Sequence, residues 1–138
     1  MAAKVVERFG IKPRVALLSH GEGGGQDIGD MQRSAAAIEI LKRRAPDLEV
    51  TGEVRIEAAL YVPDTGEPEP VHGAPANLLV MPNLAAAGIA LGVMKRIGNA
   101  VDVGPILIGS RFPVHILSNT VSVRGIVNMT AMVAADAS

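Results

Sequence analysis

Two short runs, "RVALLS" (14–19) and "NLLVMP" (77–82), carry apolar side chains at consecutive positions and are bounded by proline or glycine. A strand with one wet face alternates polar and apolar residues. A continuously apolar strand needs cover on both faces, and sheets built from such strands are typically parallel, with helices packed on either side. Between and after these runs the periodicity changes to 3.6 residues. From Ile28 to Arg44, the apolar residues Ile28, Met31, Ala35, Ile38 and Leu41 share one helical face. Asp27 is placed to cap that helix, and Pro46 stands just past its end.

The remaining elements follow by the same rules. "VTGEVRIEAAL" (50–60) alternates partially and is expected to be a strand. "AAAGIALGVMKRIG" (85–98) is expected to be a helix that ends in cations and a glycine. "GPILIG" (104–109) and "PVHILS" (113–118) are expected as two further buried strands, and "SVRGIVNMTAMVAAD" (122–136) as a closing helix. The four prolines of "VPDTGEPEPVHGAP" make 61–75 a surface loop, since no element can run through it. The expectation is one α/β domain over 1–138, with a layered, largely parallel sheet flanked by helices. Ligands of such sheets lie beyond the carboxyl ends of the strands. Here those ends carry "SHGEGGG", "MPNLA", "IGSRF" and "SNTVS".

Composition removes several classes of function. Lysine and arginine (13) nearly balance aspartate and glutamate (14). Only Phe9, Tyr61 and Phe112 could stack on bases, so no nucleic-acid partner is expected. Without cysteine there are no disulfides, thiolate chemistry or cysteine-based zinc sites. The longest apolar stretch, "LLVMPNLAAAGIALGVM", is interrupted by Pro82 and Asn83 and falls short of the ~20 residues that cross a bilayer. "MAAKVVERFG" has no apolar run of the signal-peptide kind. A soluble, cytoplasmic protein without a membrane partner is the expectation.

The loop "SHGEGGGQDIGD" (19–30) follows a strand and opens a helix, as phosphate-binding loops do. It fits no phosphate fingerprint: Gln26 stands where G-x-G-x-x-G needs its third glycine, and no Gly-Lys-Ser/Thr follows. Glu22, Asp27 and Asp30 would repel an anion. A flexible connection is the plainer reading. His20, His72 and His115 have no Ser-His-Asp spacing and read as ordinary core or surface histidines. His20, Asp27 and Asp30 lack a second nearby histidine, and no metal site is expected. Arg111 and Arg124 stand at ends of elements on the ligand side, where a guanidinium can pair with phosphate or with a surface carboxylate.

Taken together, "IKPRVALLSH", "LKRRAPDLEVTGEVRIEAAL", "ANLLVMPNLAAAGIA", "VGPILIG" and above all "PVHILSNTVSVRGIVNMTA" resemble the phosphate acetyl/butyryltransferases. They look most like the phosphotransacetylase-like domain at the C-terminus of bacterial NADP-dependent malic enzymes. The resemblance implies the C-terminal part of a phosphotransacetylase-like, isocitrate/isopropylmalate-dehydrogenase-like fold. The family's amino-terminal subdomain, which supplies half of the cleft, has no counterpart here.

In active members a Ser-Arg pair and an Asp carry the transfer of an acetyl group between CoA and phosphate. By position the serine is Ser118, the arginine is replaced by Asn119 and the aspartate by Gly125. Glycine accepts no proton and asparagine offsets no charge, so no catalytic residue is expected. The family's Asp and Asn after the third strand are Ala85 and Gly88 here, and its "SNFGS" loop is "GEGGG" (21–25). The resemblance therefore implies an inactive module that binds acetyl-CoA or a related acyl-CoA, with no tightly held cofactor. It would serve as regulatory and assembly domain of a malic enzyme, as a homodimer or larger assembly. Expected ligand contacts are Ser118, Asn119, Thr120, Ser122, Arg111, Arg124 and Asn83. Two alternatives stay open: an active acyltransferase completed by another chain, and a structural dimerisation module docking through Ile126, Val127, Met129, Met132 and Val133.

Overall fold

A computed structural model describes residues 1–19, 28–64, 73–98 and 102–137, with 28–31 described by their backbone. In chain order the elements are α1 (Ala2–Arg8), β1 (Arg14–Leu18), α2 (Ile28–Arg44), β2 (Glu49–Val54), α3 (Ile56–Ala59), β3 (Leu78–Val80), α4 (Leu84–Ile97) and α5 (Val123–Asp136). They fall into two compact units, Ala2–Gly88 and Ile89–Ser138 together with Met1.

The first unit is built on a three-stranded parallel sheet in the order β2-β1-β3. β1 is central because it alone can be buried everywhere: Val15, Ala16, Leu17 and Leu18 are all under 9% exposed. Burial of a valine or leucine stabilises by about 1.5–3 kcal/mol, so this strand anchors the unit. Ala16, Leu18, Val54 and Ala59 form the core cluster, with Ala76, Leu79 and Met81 packed against it. Helix α2 packs on β2, and the α1 segment "AAKVVER", unassigned by the sequence reading, meets β3.

The β1–β2 register runs Arg14↔Glu49 to Leu17↔Gly52 and then shifts, pairing Leu18 with Val54. Gly52 is required there by space. A β-carbon on it would stand 2.9 Å from Leu17 Cβ and 3.2 Å from Ile38 Cδ1.

Two expectations need correction. The strand expected over 50–60 stops at Val54, and Ile56–Ala59 turns into α3, where Ala59 N–H bonds to Arg55 O. "IEAAL" is made of residues that favour helix, and that local preference outweighs the partial alternation. The strands expected over 104–109 and 113–118 do not form: no strand is present among residues 102–122. Pro105 and Pro113 lack the N–H a ladder needs, and Gly109 sits at φ +92°. Leu107 and Ile108, expected in a buried sheet, are each 43% exposed.

Helix boundaries otherwise agree closely with the punctuation. Asn83 Oδ1 accepts from Ala86 N–H at 2.9 Å and caps α4, while Ser122 Oγ accepts from Gly125 N–H at 3.1 Å and caps α5. Gly98 closes α4, where a β-carbon would stand 2.7 Å from Met94 O.

Candidate functional site

The second unit contains a cavity of about 240 Å³ at the amino end of α5. Three hydroxyl residues line it: Ser118, Thr120 and Ser122. The segment preceding α5 makes a tight turn, closed by Val121 N–H donating to Ser118 O at 3.2 Å. That turn brings Ser118 Oγ to 3.1 Å from Thr120 Oγ1. Met129, 3% exposed, is the most buried of the residues around the cavity.

Two charged residues complete the lining. Lys95, in the last turn of α4, places Nζ 2.9 Å from Asp102 Oδ2. The hydrogen bond from Lys95 holds the Asp102 carboxyl below its usual range. A carboxylate held low in this way is a poor proton acceptor near neutrality. Sequence reasoning took Lys95 only as a helix-dipole cation and left Asp102 aside. The available signal was the pair of opposite charges on either side of the α4 stop at Gly98.

Gly125 also lines the cavity, at the third residue of α5. A β-carbon built there would meet Val121 Cγ2 at 2.6 Å, closer than real β-carbons approach anything. The place where the resemblance puts an aspartate is therefore closed to any side chain unless Val121 moves.

The remaining expected contacts are distributed differently. Asn119 and Arg124 are exposed and are not among the residues lining this cavity. Arg111 is exposed, with its guanidinium 5.6 Å from the Phe112 ring centroid in a cation–π contact. Ser122 has its hydroxyl engaged as the α5 cap, and Asn83 belongs to the first unit as the α4 cap. The glycine loop from His20 to Asp27, and His72, lie outside the described residues.

His115, read from sequence as an ordinary core or surface histidine, has a side chain only 3% exposed. Its Nδ1 accepts from Leu107 N–H at 3.2 Å. The imidazole thus does for 104–109 and 113–118 what a strand ladder would have done: it holds the two segments together.

The first unit has a larger cavity of about 510 Å³ along β1 and β2. Its charged residues are already engaged: Arg14 Nε donates to Pro75 O at 2.7 Å, and Glu49 pairs with Lys12. Among the described residues no group of three histidine, aspartate or glutamate side chains could hold a metal ion. No described helix is long and apolar enough to cross a membrane.

A parallel sheet with helices and, in the second unit, a hydroxyl-lined cavity at a helix start define an α/β module. The particular family follows from comparison with known proteins. Residues 1–134 match the family described as Phosphate acetyl/butaryl transferase, and the chain belongs to it. Similar proteins include an NAD-dependent malic enzyme of Rhizobium meliloti, 44% identical over 100% of this chain and 18% of that protein. An NADP-dependent malic enzyme of Escherichia coli is 42% identical over 99% of the chain and again 18% of its own length. A phosphate acetyltransferase of Bacillus subtilis is 35% identical over 99% of the chain and 43% of its length. Among solved structures, a phosphotransacetylase from Streptococcus pyogenes superposes with a TM-score of 0.83 at 32% identity, covering 98% of this chain and 42% of that one. The chain thus spans less than a fifth of the malic enzymes it matches and less than half of the phosphotransacetylases.

Proposed function

We propose that this chain is a phosphotransacetylase-like module that binds acetyl-CoA or a related acyl-CoA without turning it over, and acts as a regulatory and assembly portion of a malic enzyme. The observation that carries the reading is the Gly125–Val121 contact. The family's proton acceptor is missing from the cavity, and the space it would fill is occupied by the Val121 methyl group. Asn119 in place of an arginine removes the second requirement, a fixed positive charge opposite the reacting phosphoryl oxygens. What remains, a hydroxyl cluster at a helix start, suits hydrogen bonding to an acyl or phosphoryl oxygen.

The apolar exposure of α4 and α5 supports the assembly role. Leu84, Ile89 and Ile97 on α4, and Val123 and Val127 on α5, are each more than 60% exposed. Large apolar side chains left exposed on a helix suit contact with a partner. A second copy of the chain could cover such side chains, as could a malic-enzyme catalytic domain or the family's amino-terminal subdomain. The test is calorimetric titration with acetyl-CoA, with CoA and acetyl phosphate as controls. Saturable acetyl-CoA binding, with no acetyl phosphate formed when inorganic phosphate is added, is the expected result. Turnover would establish the acyltransferase alternative, and absence of heat from a folded protein would remove the acyl-CoA reading.

A further inference from the structure

We infer that Lys95 is the cation with which the 240 Å³ cavity takes an anionic ligand group, and that Asp102 is a built-in competitor that sets the strength of that capture. The inference rests on the reading of this cavity as the ligand site, and it names the group that governs its affinity.

Three observations support it. Lys95 and Asp102 are the charged residues among those lining the cavity, and they share it with the hydroxyls of Ser118 and Thr120. The arginine expected beside Ser118 is Asn119, so positive charge must come from elsewhere if a phosphoryl or carboxylate group is to be held. Arg124, one alternative source, is exposed and is not among the lining residues. Lys95 is also accessible: its side chain is 43% exposed and sits on the last turn of α4, within four residues of the Gly98 stop. An ammonium has three donors, and with one directed at Asp102 Oδ2 it can still donate to a second oxygen. The Asp102 charge opposes that second anion at close range. Occupancy therefore depends on how far Lys95 is drawn from Asp102 toward the hydroxyl pair. Because lysine is a flexible point charge and not a planar fork, the site discriminates by charge more than by shape.

The experiment compares four proteins: the unaltered chain, Asp102→Asn, Lys95→Gln and Lys95→Arg. Each is titrated calorimetrically with acetyl-CoA and, separately, with inorganic phosphate while the lysine Nζ resonances are followed by NMR. Asp102→Asn is expected to tighten binding several-fold, an effect that damage to the fold does not produce. Lys95→Gln is expected to weaken binding about tenfold or more, with Lys95→Arg recovering most of the loss. Acetyl-CoA binding that none of these substitutions changes would overturn the inference and leave the acyl-CoA reading intact. A Lys95 resonance that responds to phosphate in a chain that ignores acetyl-CoA would support the inference and overturn that reading. No response to either probe would overturn both.

Discussion

Nε2 of His115 lies 3.9 Å from Oδ2 of Asp136, with the histidine side chain 3% and the aspartate 16% exposed. The relationship sets the segment leading to Ser118 beside the last residue of α5. Since Nδ1 accepts from Leu107 N–H, the neutral imidazole must carry its proton on Nε2, the nitrogen facing the carboxylate.

That arrangement predicts a single tautomer, visible in ¹⁵N spectra as a bare Nδ1 and a protonated Nε2. His115→Leu removes the acceptor for Leu107 and the group beside Asp136, and should cost about 1–2 kcal/mol in denaturant unfolding. His115→Asn, whose side-chain oxygen can take the place of Nδ1, should cost less. Equal losses from both would show that packing alone is at stake.

Gly125→Asp should destabilise the protein by about 1–3 kcal/mol, because the new β-carbon meets the stiff Val121 side chain. It should yield no acetyl transfer on its own. Adding Val121→Ala should recover most of the stability. A single Gly125→Asp variant as stable as the unaltered chain would contradict the contact.

Ser122→Ala should cost about 1 kcal/mol through loss of the α5 cap, and Ser122→Asp should preserve it. Asn83→Ala should behave similarly at α4. Thermal melts read both effects. Acyl-CoA affinity should fall less for Ser122→Asn, which keeps a cap without adding a charge to the cavity, than for Ser118→Ala if the Ser122 hydroxyl works mainly as a cap.

The first unit has its own sensitive position. Gly52→Ala should cost about 1–3 kcal/mol, since its β-carbon would stand 2.9 Å from Leu17 Cβ in the central strand. Gly88→Ala, at a helical position with open space around it, should be neutral or stabilising by up to about 1 kcal/mol.

Acidification should act on the Lys95–Asp102 pair in a defined direction. The Asp102 carboxyl is held below the ordinary aspartate value, first by the Lys95 hydrogen bond, so the contact is fully present above about pH 4 and is lost as pH falls through the lowered value. Carboxyl ¹³C titration would follow it. An Asp102 that titrates at or above the ordinary value would mean the pair is not formed.

Most of the first unit was legible from sequence because its elements obey one dominant rule each. β1 is a continuous apolar run, and α2 is a helical pattern with a charged end. The segments over 104–118 were misread because their apolar content is high while Pro105, Pro113 and Gly109 deny them a ladder. Their link is the His115–Leu107 bond, a side-chain contact that no periodicity encodes. The cavity was half legible. Ser118, Thr120 and Ser122, named from the sequence as expected ligand contacts, line the cavity, and the capping task of Ser122 was not foreseen. Lys95 and Asp102 are brought together only by the path the chain takes after α4.

The Val121 methyl group beside Gly125 gives the proposed loss of chemistry a direction in evolutionary time. Placing a carboxylate there by one substitution leads first through a strained, less stable protein that still has Asn119 where the resemblance implies an arginine. Relaxing Val121 first opens space and by itself brings no new chemistry. On the proposed reading, a lineage carrying this pair meets no gain at either first step, and ligand binding can be refined without passing back through catalysis.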